Sequence, residues 1–301
     1  MTTQQPDHPA DHQQSASPLE PVPMEAVAPP ERRSRAGRNL PAAIGVGVAL
    51  AALILASLYV WKVAFVGVVV VAVVLALSEL TNAFTAGRVR LPLVPVALGG
   101  VAVLVAAYVG GSEALLVALT LTFLAVLLWR LPENPAGYVR DVTAGIFATM
   151  YVPFLAAFAV LLLRPDDGPD RVVVFVLLTV LSDVGGYAAG VLFGRHPMAP
   201  AVSPKKSWEG FGGSALFSSA GGAVALPALL DAQPWEGVVL GLAVMTVATL
   251  GDLGESMIKR DLGIKDMGSL LPGHGGVMDR LDSLLLAAPV TYLLLSWLVP
   301  A

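Results

Sequence analysis

Long apolar runs, each broken by charge or by Pro and Gly, fill the sequence from Leu40 to its end. A helix needs roughly 20 apolar residues to cross the hydrocarbon core of a bilayer. Nine runs approach that length: Leu40–Val60, Val63–Leu80, Leu91–Val109, Ala114–Trp129, Val142–Leu163, Val172–Phe193, Gly213–Leu230, Val238–Glu255 and Leu284–Val299. The fourth is short, and a hinge bearing Gly and Arg separates the second from the third. The pattern predicts an all-α, polytopic integral membrane protein with about nine transmembrane helices.

Ahead of the spans runs a leader, residues 1–39, rich in Pro, Gln, Ala and Glu and nearly free of large apolar side chains. A segment of that composition is expected to be a disordered tail. Its histidines, His8 and His12, read as solvated residues, not as a metal site. The first span is too long, and too far behind this leader, to be a cleaved signal peptide.

Composition narrows the class. Of 301 residues, 56% are hydrophobic and 13% charged, against about 45–50% and about 25% in soluble domains. The mean hydropathy of +0.75 excludes an ordinary soluble enzyme or a disordered chain. A net charge of −4 excludes nucleic acid as a partner drawn in by bulk attraction. The absence of cysteine removes disulfides, thiolate metal sites and Cys nucleophiles. Placing the N-terminus in the cytoplasm leaves only Lys62, Arg164 and Arg171, of 18 Lys and Arg, on the outer side. That asymmetry predicts a cytoplasmic N-terminus and an outer C-terminus in the cell membrane.

Polar residues are scarce, so their clustering carries information. In residues 40–170, the N-terminal transmembrane region, Glu79 falls at a helix end, where a solvent-facing carboxylate is expected. Arg130-Leu-Pro-Glu-Asn-Pro reads as an ordinary loop. Residues 171–301 differ. Asp252, Ser256, Lys259 and Arg260 recur at helical spacing and share a face. Asp279 and Asp282, three apart, face one way at the start of the last span. Between Arg260 and Asp279, Pro272-Gly-His-Gly-Gly must loop back. Three carboxylates beside a glycine turn suit Mg²⁺ and phosphates: Mg²⁺ takes one or two carboxylates, and glycine N–H groups cradle anions. Paired Asp residues at a membrane entry are costly without a function. A second cluster holds Asp183, inside an apolar run and so expected to face the protein interior or a polar cavity. It continues through Ser203-Pro-Lys-Lys-Ser-Trp-Glu-Gly, whose lysines taken alone would read as topology anchors.

These segments resemble a known family. Ser203-Pro-Lys-Lys-Ser-Trp-Glu-Gly, Ser256-x-x-Lys-Arg and Gly273-His-Gly-Gly-Val-Met-Asp-Arg-Leu-Asp-Ser are similar to the signature of the phosphatidate cytidylyltransferases, or CDP-diacylglycerol synthases. The likeness runs from roughly Asp183 to Ser283, making residues 171–301 the expected catalytic region. It implies an all-α membrane enzyme that makes CDP-diacylglycerol and pyrophosphate from CTP and phosphatidate with Mg²⁺. A potassium ion is the second ion associated with the family, and a homodimer is compatible with it. By position, the resemblance implies metal and catalytic roles for Asp252, Asp279 and Asp282, joined by Lys259 and Arg280. It implies substrate contacts from Lys205, Lys206 and Arg260, and polar lining from Ser203, Ser207 and Ser256. His274, Gly275 and Gly276 would meet phosphate in the loop. Two departures are visible: Ala201-Val202 precedes Ser203 where a basic residue is frequent, and Val184-Gly185 follows Asp183.

The chemistry suits the residues. A phosphate monoester is already about −1.5 to −2 charged near neutrality, so attack on the CTP α-phosphorus needs cations more than a strong base. A transporter of anionic substrates would show polar residues at mid-membrane in repeated halves, and no repeat is visible. A polyprenol kinase-like enzyme is the nearer rival. A CDP-alcohol phosphotransferase would carry Asp-Gly-x-x-Ala-Arg, which is absent.

Overall fold

The computed structural model describes residues 1–2, 40–268 and 276–300. The chain divides into two units, Met1–Arg38 and Asn39–Ala301, and every helix described lies in the second. The expected tail falls outside the described residues, apart from Met1 and Thr2.

The helices are α1 (Leu40–Val60), α2 (Lys62–Ala86), α3 (Leu93–Trp129), α4 (Tyr138–Thr149), α5 (Leu155–Leu163), α6 (Gly168–Phe193), α7 (Trp208–Leu230), α8 (Pro234–Asp261) and α9 (Met278–Leu298). A π-helical turn, Met150–Phe154, joins α4 to α5 around Pro153, a proline being a common cause of such a defect. Among the described residues seven helical segments are long and apolar enough to cross a membrane, α4 to α5 counting as one. The protein is a multi-pass membrane protein in which backbone polar groups are satisfied within helices, as hydrocarbon requires.

Two further features bear on the expected count of about nine. The 37 residues of α3 would span about 55 Å if straight, far beyond the roughly 30 Å core. Instead Gly111 adopts φ 70°, ψ −154°, a conformation open to glycine alone. The chain folds back there: a Cβ on Gly99 would lie 2.2 Å from Thr122 Cγ2, on the other arm. The third and fourth apolar runs are these two arms, and α1 carries the first run, its apolar stretch Gly47–Val60 being shorter than the seven spans.

Exposed Leu98, Val109, Leu121, Phe193 and Trp297 form an apolar exterior suited to lipid, while Leu77, Leu104, Leu162, Leu178, Leu240 and Leu295 are fully buried. Without a hydrophobic drive between helices in lipid, close packing relies on small residues. Gly222 and Gly237 let α7 and α8 touch, since a Cβ on Gly237 would fall 2.0 Å from Gly222 O. Gly251 does the same for α8 and α9: its Cβ would meet Asp282 O at 2.5 Å. That contact sets Asp252 beside the start of α9.

Several helices run beyond their expected bounds, and two of these extensions reach into the polar motifs. α8 continues past Glu255 to Asp261, and α9 starts at Met278 instead of Leu284. The chain also holds a small antiparallel hairpin, β1 (Pro197–Ala199) with β2 (Ser203–Ser207). Ser207 ends β2 and caps α7, its Oγ accepting the Gly210 N–H at 3.1 Å.

Candidate functional site

Four elements converge at one end of the helices. β2 contributes Lys206, the last turns of α8 contribute Asp252, Glu255 and Lys259, α9 contributes Asp279 and Asp282, and α6 contributes Asp183. Alternation along a strand sends successive side chains to opposite faces. Lys205 is accordingly exposed, while Lys206 turns inward and pairs with Asp252 Oδ2 at 2.6 Å. Its ammonium also donates to Thr249 O at 3.3 Å. This pair joins the two motifs that the sequence keeps 46 positions apart, as their residue numbers show.

A second cation is held more tightly. Lys259 Nζ lies 2.6 Å from Glu255 Oε2 and 2.8 Å from Asp279 Oδ1. Asp279 also accepts the backbone N–H groups of Met267, at 3.2 Å, and Gly276, at 2.9 Å, through Oδ2. Both its oxygens are thus engaged, tying Met267 and Gly276 of the α8–α9 connection to Lys259 of α8. Asp282, one turn on, is in a different setting. Its Oδ1 accepts the Ser283 N–H at 2.6 Å, and it interacts electrostatically with Asp252 and Asp183. Asp183 in turn senses Asp252, Lys206 and Arg280.

The remaining expected residues sort as follows. Ser256 Oγ reaches Asp252 Oδ1 at 3.5 Å, the limit of a hydrogen bond. Arg260 is exposed and its Nε donates to Val202 O at 3.4 Å, linking α8 to the hairpin. Arg280 is exposed on the first turn of α9. Ser203 pairs with Ala199 in the hairpin, and the Ser207 side chain is engaged as a helix cap. His274 and Gly275 lie outside the described residues. Among the described residues no group of three or more His, Asp or Glu side chains is gathered as a metal cage.

Three participants escape the sequence reading. Glu79 is not a solvent-facing end residue: it is 3% exposed, its Oε2 accepts the Met278 N–H at 2.9 Å, and a Cβ on Gly268 or Gly276 would collide with its carboxylate. It therefore receives the start of α9 and both flanks of the loop. Glu255, fully buried against Lys259, lies in an apolar-rich helix that hides its role. Tyr151, on the π turn, interacts electrostatically with Asp252, Glu255 and Asp282, and its buried hydroxyl has no hydrogen-bond partner among the described residues. The available signal was Pro153 inside an apolar run, which marks a helix defect.

The arrangement offers hard oxygen donors and ammonium or guanidinium groups around one space, the chemistry of phosphate handling with a divalent ion. Comparison with known proteins agrees with that chemistry. Residues 41–298 match the model of the cytidylyltransferase family. The phosphatidate cytidylyltransferase of Mycobacterium bovis (strain ATCC BAA-935 / AF2122/97) is 38% identical over 90% of this chain and 92% of its own length. The protein of that name from Mycobacterium leprae (strain TN) is 40% identical over 88% and 90% respectively. One from Brucella suis biovar 1 (strain 1330) is 40% identical over half of this chain.

Proposed function

The chain belongs to the cytidylyltransferase family, and from that premise we propose that it transfers the cytidylyl group of CTP to phosphatidate, releasing pyrophosphate. The observation that carries this reading is the Lys206–Asp252 pair, which brings the Ser203–Gly210 segment against the acidic end of α8. A phosphate-monoester oxygen of phosphatidate attacks the α-phosphorus of CTP. The bond from that phosphorus to the oxygen bridging the β-phosphate breaks, and pyrophosphate leaves with the electron pair. The nucleophile is already ionised, so no strong base is required. The obstacle is repulsion between two polyanions and the charge on the leaving group, which positioned cations lower.

In this reading Lys206, Lys259, Arg260 and Arg280 bind and orient phosphate oxygens, with Lys205 at the outer rim. Asp252 and Asp282, supported by Asp183, would hold Mg²⁺. Mg²⁺ asks for only one or two carboxylates, taking its other ligands from water and substrate phosphates, so the donor set fits without a protein cage. When bound, the ion neutralises charge on the phosphates. Potassium, as second ion, would add positive charge at the same acidic cluster. Asp279 supports this site by holding the loop in place. Residues 171–301 form the catalytic part, residues 40–170 brace it, and residues 1–39 are a tether.

Incubating the purified protein in detergent with phosphatidate, CTP and Mg²⁺ should release pyrophosphate, with formation of CDP-diacylglycerol. No release with any cytidine nucleotide would reject the assignment. We further propose that the site faces the cytoplasm at the plasma membrane. In this cysteine-free chain, Asp266→Cys should label from inside and Asp166→Cys from outside, both positions being exposed. A two-copy particle on purification would extend the reading to a homodimer.

A further inference from the structure

At the same end of the helices as the candidate site, a pocket of about 510 Å³ opens between the α2–α3 corner and the α3–α4 turn. The corner is tied to the site end, because Gly87 packs against Leu262. Thr85, Arg88, Arg90, Arg130, Arg140 and Asp141 line the pocket. None of them belongs to the acid–base cluster around Asp252. Its size is within the roughly 300–1,000 Å³ usual for ligand pockets.

Arginines at helix ends often serve only to fix topology. Such anchors need neither a cavity nor buried partners, and this group has both. Asp141 is 1% exposed and works as a hub: Oδ1 accepts the Arg90 N–H at 3.2 Å and Arg140 Nε at 3.1 Å, while Oδ2 lies 3.1 Å from Arg130 Nη2. Arg130 is 7% exposed, also pairs with Glu133, and keeps a buried Nε with no acceptor among the described residues. Arg88 sits at φ 58°, a region that residues other than glycine seldom adopt. Neither the Arg88 nor the Arg90 guanidinium has a hydrogen bond or ion pair among those the described residues form. Four guanidiniums against two carboxylates leave the cavity cationic.

We propose that this pocket is an accessory phosphate site, separate from the reaction site and set at headgroup depth, where it takes the phosphate of an anionic phospholipid. Guanidinium forks match phosphate geometry, and basic pockets between transmembrane helices at one membrane face bind anionic headgroups. Asp141 and Glu133 hold Arg130 and Arg140 in place, leaving Arg88 and Arg90 to the ligand.

The test is native mass spectrometry of the full chain released from mixed phosphatidylglycerol–phosphatidylcholine bilayers. Neither lipid is the proposed substrate, so the outcome is independent of the activity. The protein should retain phosphatidylglycerol in preference, and Arg88→Gln with Arg90→Gln should weaken that retention by about thirtyfold, the contribution of two basic residues at a membrane surface. Thr85→Glu places a carboxylate on the wall without touching the Arg130–Asp141 network, and should give the same loss if the double variant fails to fold. A parallel arm adds inorganic phosphate: displacement of the lipid upholds a phosphate site and makes the free anion a competing occupant. Equal retention of both lipids by the unaltered protein, or unchanged preference in the double variant and Thr85→Glu, would overturn the proposal.

Discussion

The two ends of the helix bundle use the same residue types in opposite ways. At the end away from the site, each cation is a staple. Lys62 donates to Pro165 O and Asp166 O, Arg164 to Tyr108 O, and Arg171 to both Asp167 and Val299 O. The acceptors are mostly backbone carbonyls at helix ends, which hydrocarbon would leave unsatisfied. At the other end, Lys206 and Lys259 meet Asp252, Glu255 and Asp279. Charges there are matched to charges around a space, and Asp252, Asp183 and Asp282 repel one another across it. Like charges brought together in a membrane protein are destabilising unless a cation completes them. A staple end should answer to mutation in stability, and a site end in kinetics.

The largest kinetic effect should come from Asp282. Asp282→Asn keeps size but removes a charge, and kcat should fall by about 100-fold, or about 2.7 kcal/mol, with partial recovery in excess Mg²⁺. Asp279→Asn should also lower turnover, by loosening the loop from Lys259, but its Mg²⁺ dependence should be unaltered. Pyrophosphate release titrated against Mg²⁺ separates them. Equal Mg²⁺ dependence in both variants would erase the distinction between a metal-holding and a loop-holding carboxylate.

Next in size is the contrast between adjacent lysines. Lys206→Ala should reduce kcat/KM by about 30-fold, about 2 kcal/mol, the order of a hydrogen bond to a charged group. Lys205→Ala should cost about threefold, since strand alternation turns it to solvent. Steady-state kinetics with CTP varied would decide this, and a larger effect at Lys205 would mean that the hairpin turns over when substrate binds.

Much of this organisation was legible in the sequence. Hydrophobic run length alone reveals a helical membrane protein, because a bilayer demands about 20 apolar residues per pass. The clustering of Asp252, Lys259, Asp279 and Asp282 was visible because charges in such a chain are rare. What periodicity could not reveal was pairing at a distance. Glu79 looked like a helix-end carboxylate because the helix that carries it runs on to Ala86, beyond its apolar run. Its partner, the Met278 N–H, is 199 positions away. The roles of Asp279 and Asp282 were inseparable for a similar reason: three-residue spacing gives both one face, but only packing against α8 decides which oxygen atoms are already engaged. The apolar runs on either side of Gly111 predict two spans, and the turn that separates them is a single residue within continuous helix.

Glu79 should show a smaller kinetic effect than either Asp282 or Lys206. Glu79→Ala removes the acceptor for the Met278 N–H and empties the space between Gly268 and Gly276. Turnover should drop by about tenfold, about 1.4 kcal/mol, with KM for CTP raised as the loop loses its support. Glu79→Gln keeps an oxygen acceptor and should restore most of the activity. Equal loss in both variants would assign Glu79 a role through charge, not through its hydrogen bond.

Arg171 carries the smallest kinetic expectation and the clearest test of the contrast. It is 3% exposed and bridges Asp167, one turn before it, to Val299 O at the end of α9. Arg171→Met keeps the length and apolar stem but deletes every donor. The Val299 carbonyl and the Asp167 carboxylate then lose their partner, at a cost of about 1.5–3 kcal/mol for a bond to a charged group. Because Asp167 is partly exposed, water offsets some of that loss. The thermal midpoint in detergent should fall by several degrees, while kcat, KM and Mg²⁺ dependence measured well below it stay within about twofold, since the proposed site for substrate and metal lies at the opposite end of α9 and depends on local geometry. A normal midpoint would remove Arg171 from the staples. A lowered kcat at an intact midpoint would mean that α9 transmits the position of its far end to Asp279 and Asp282, so that the two ends work as one device.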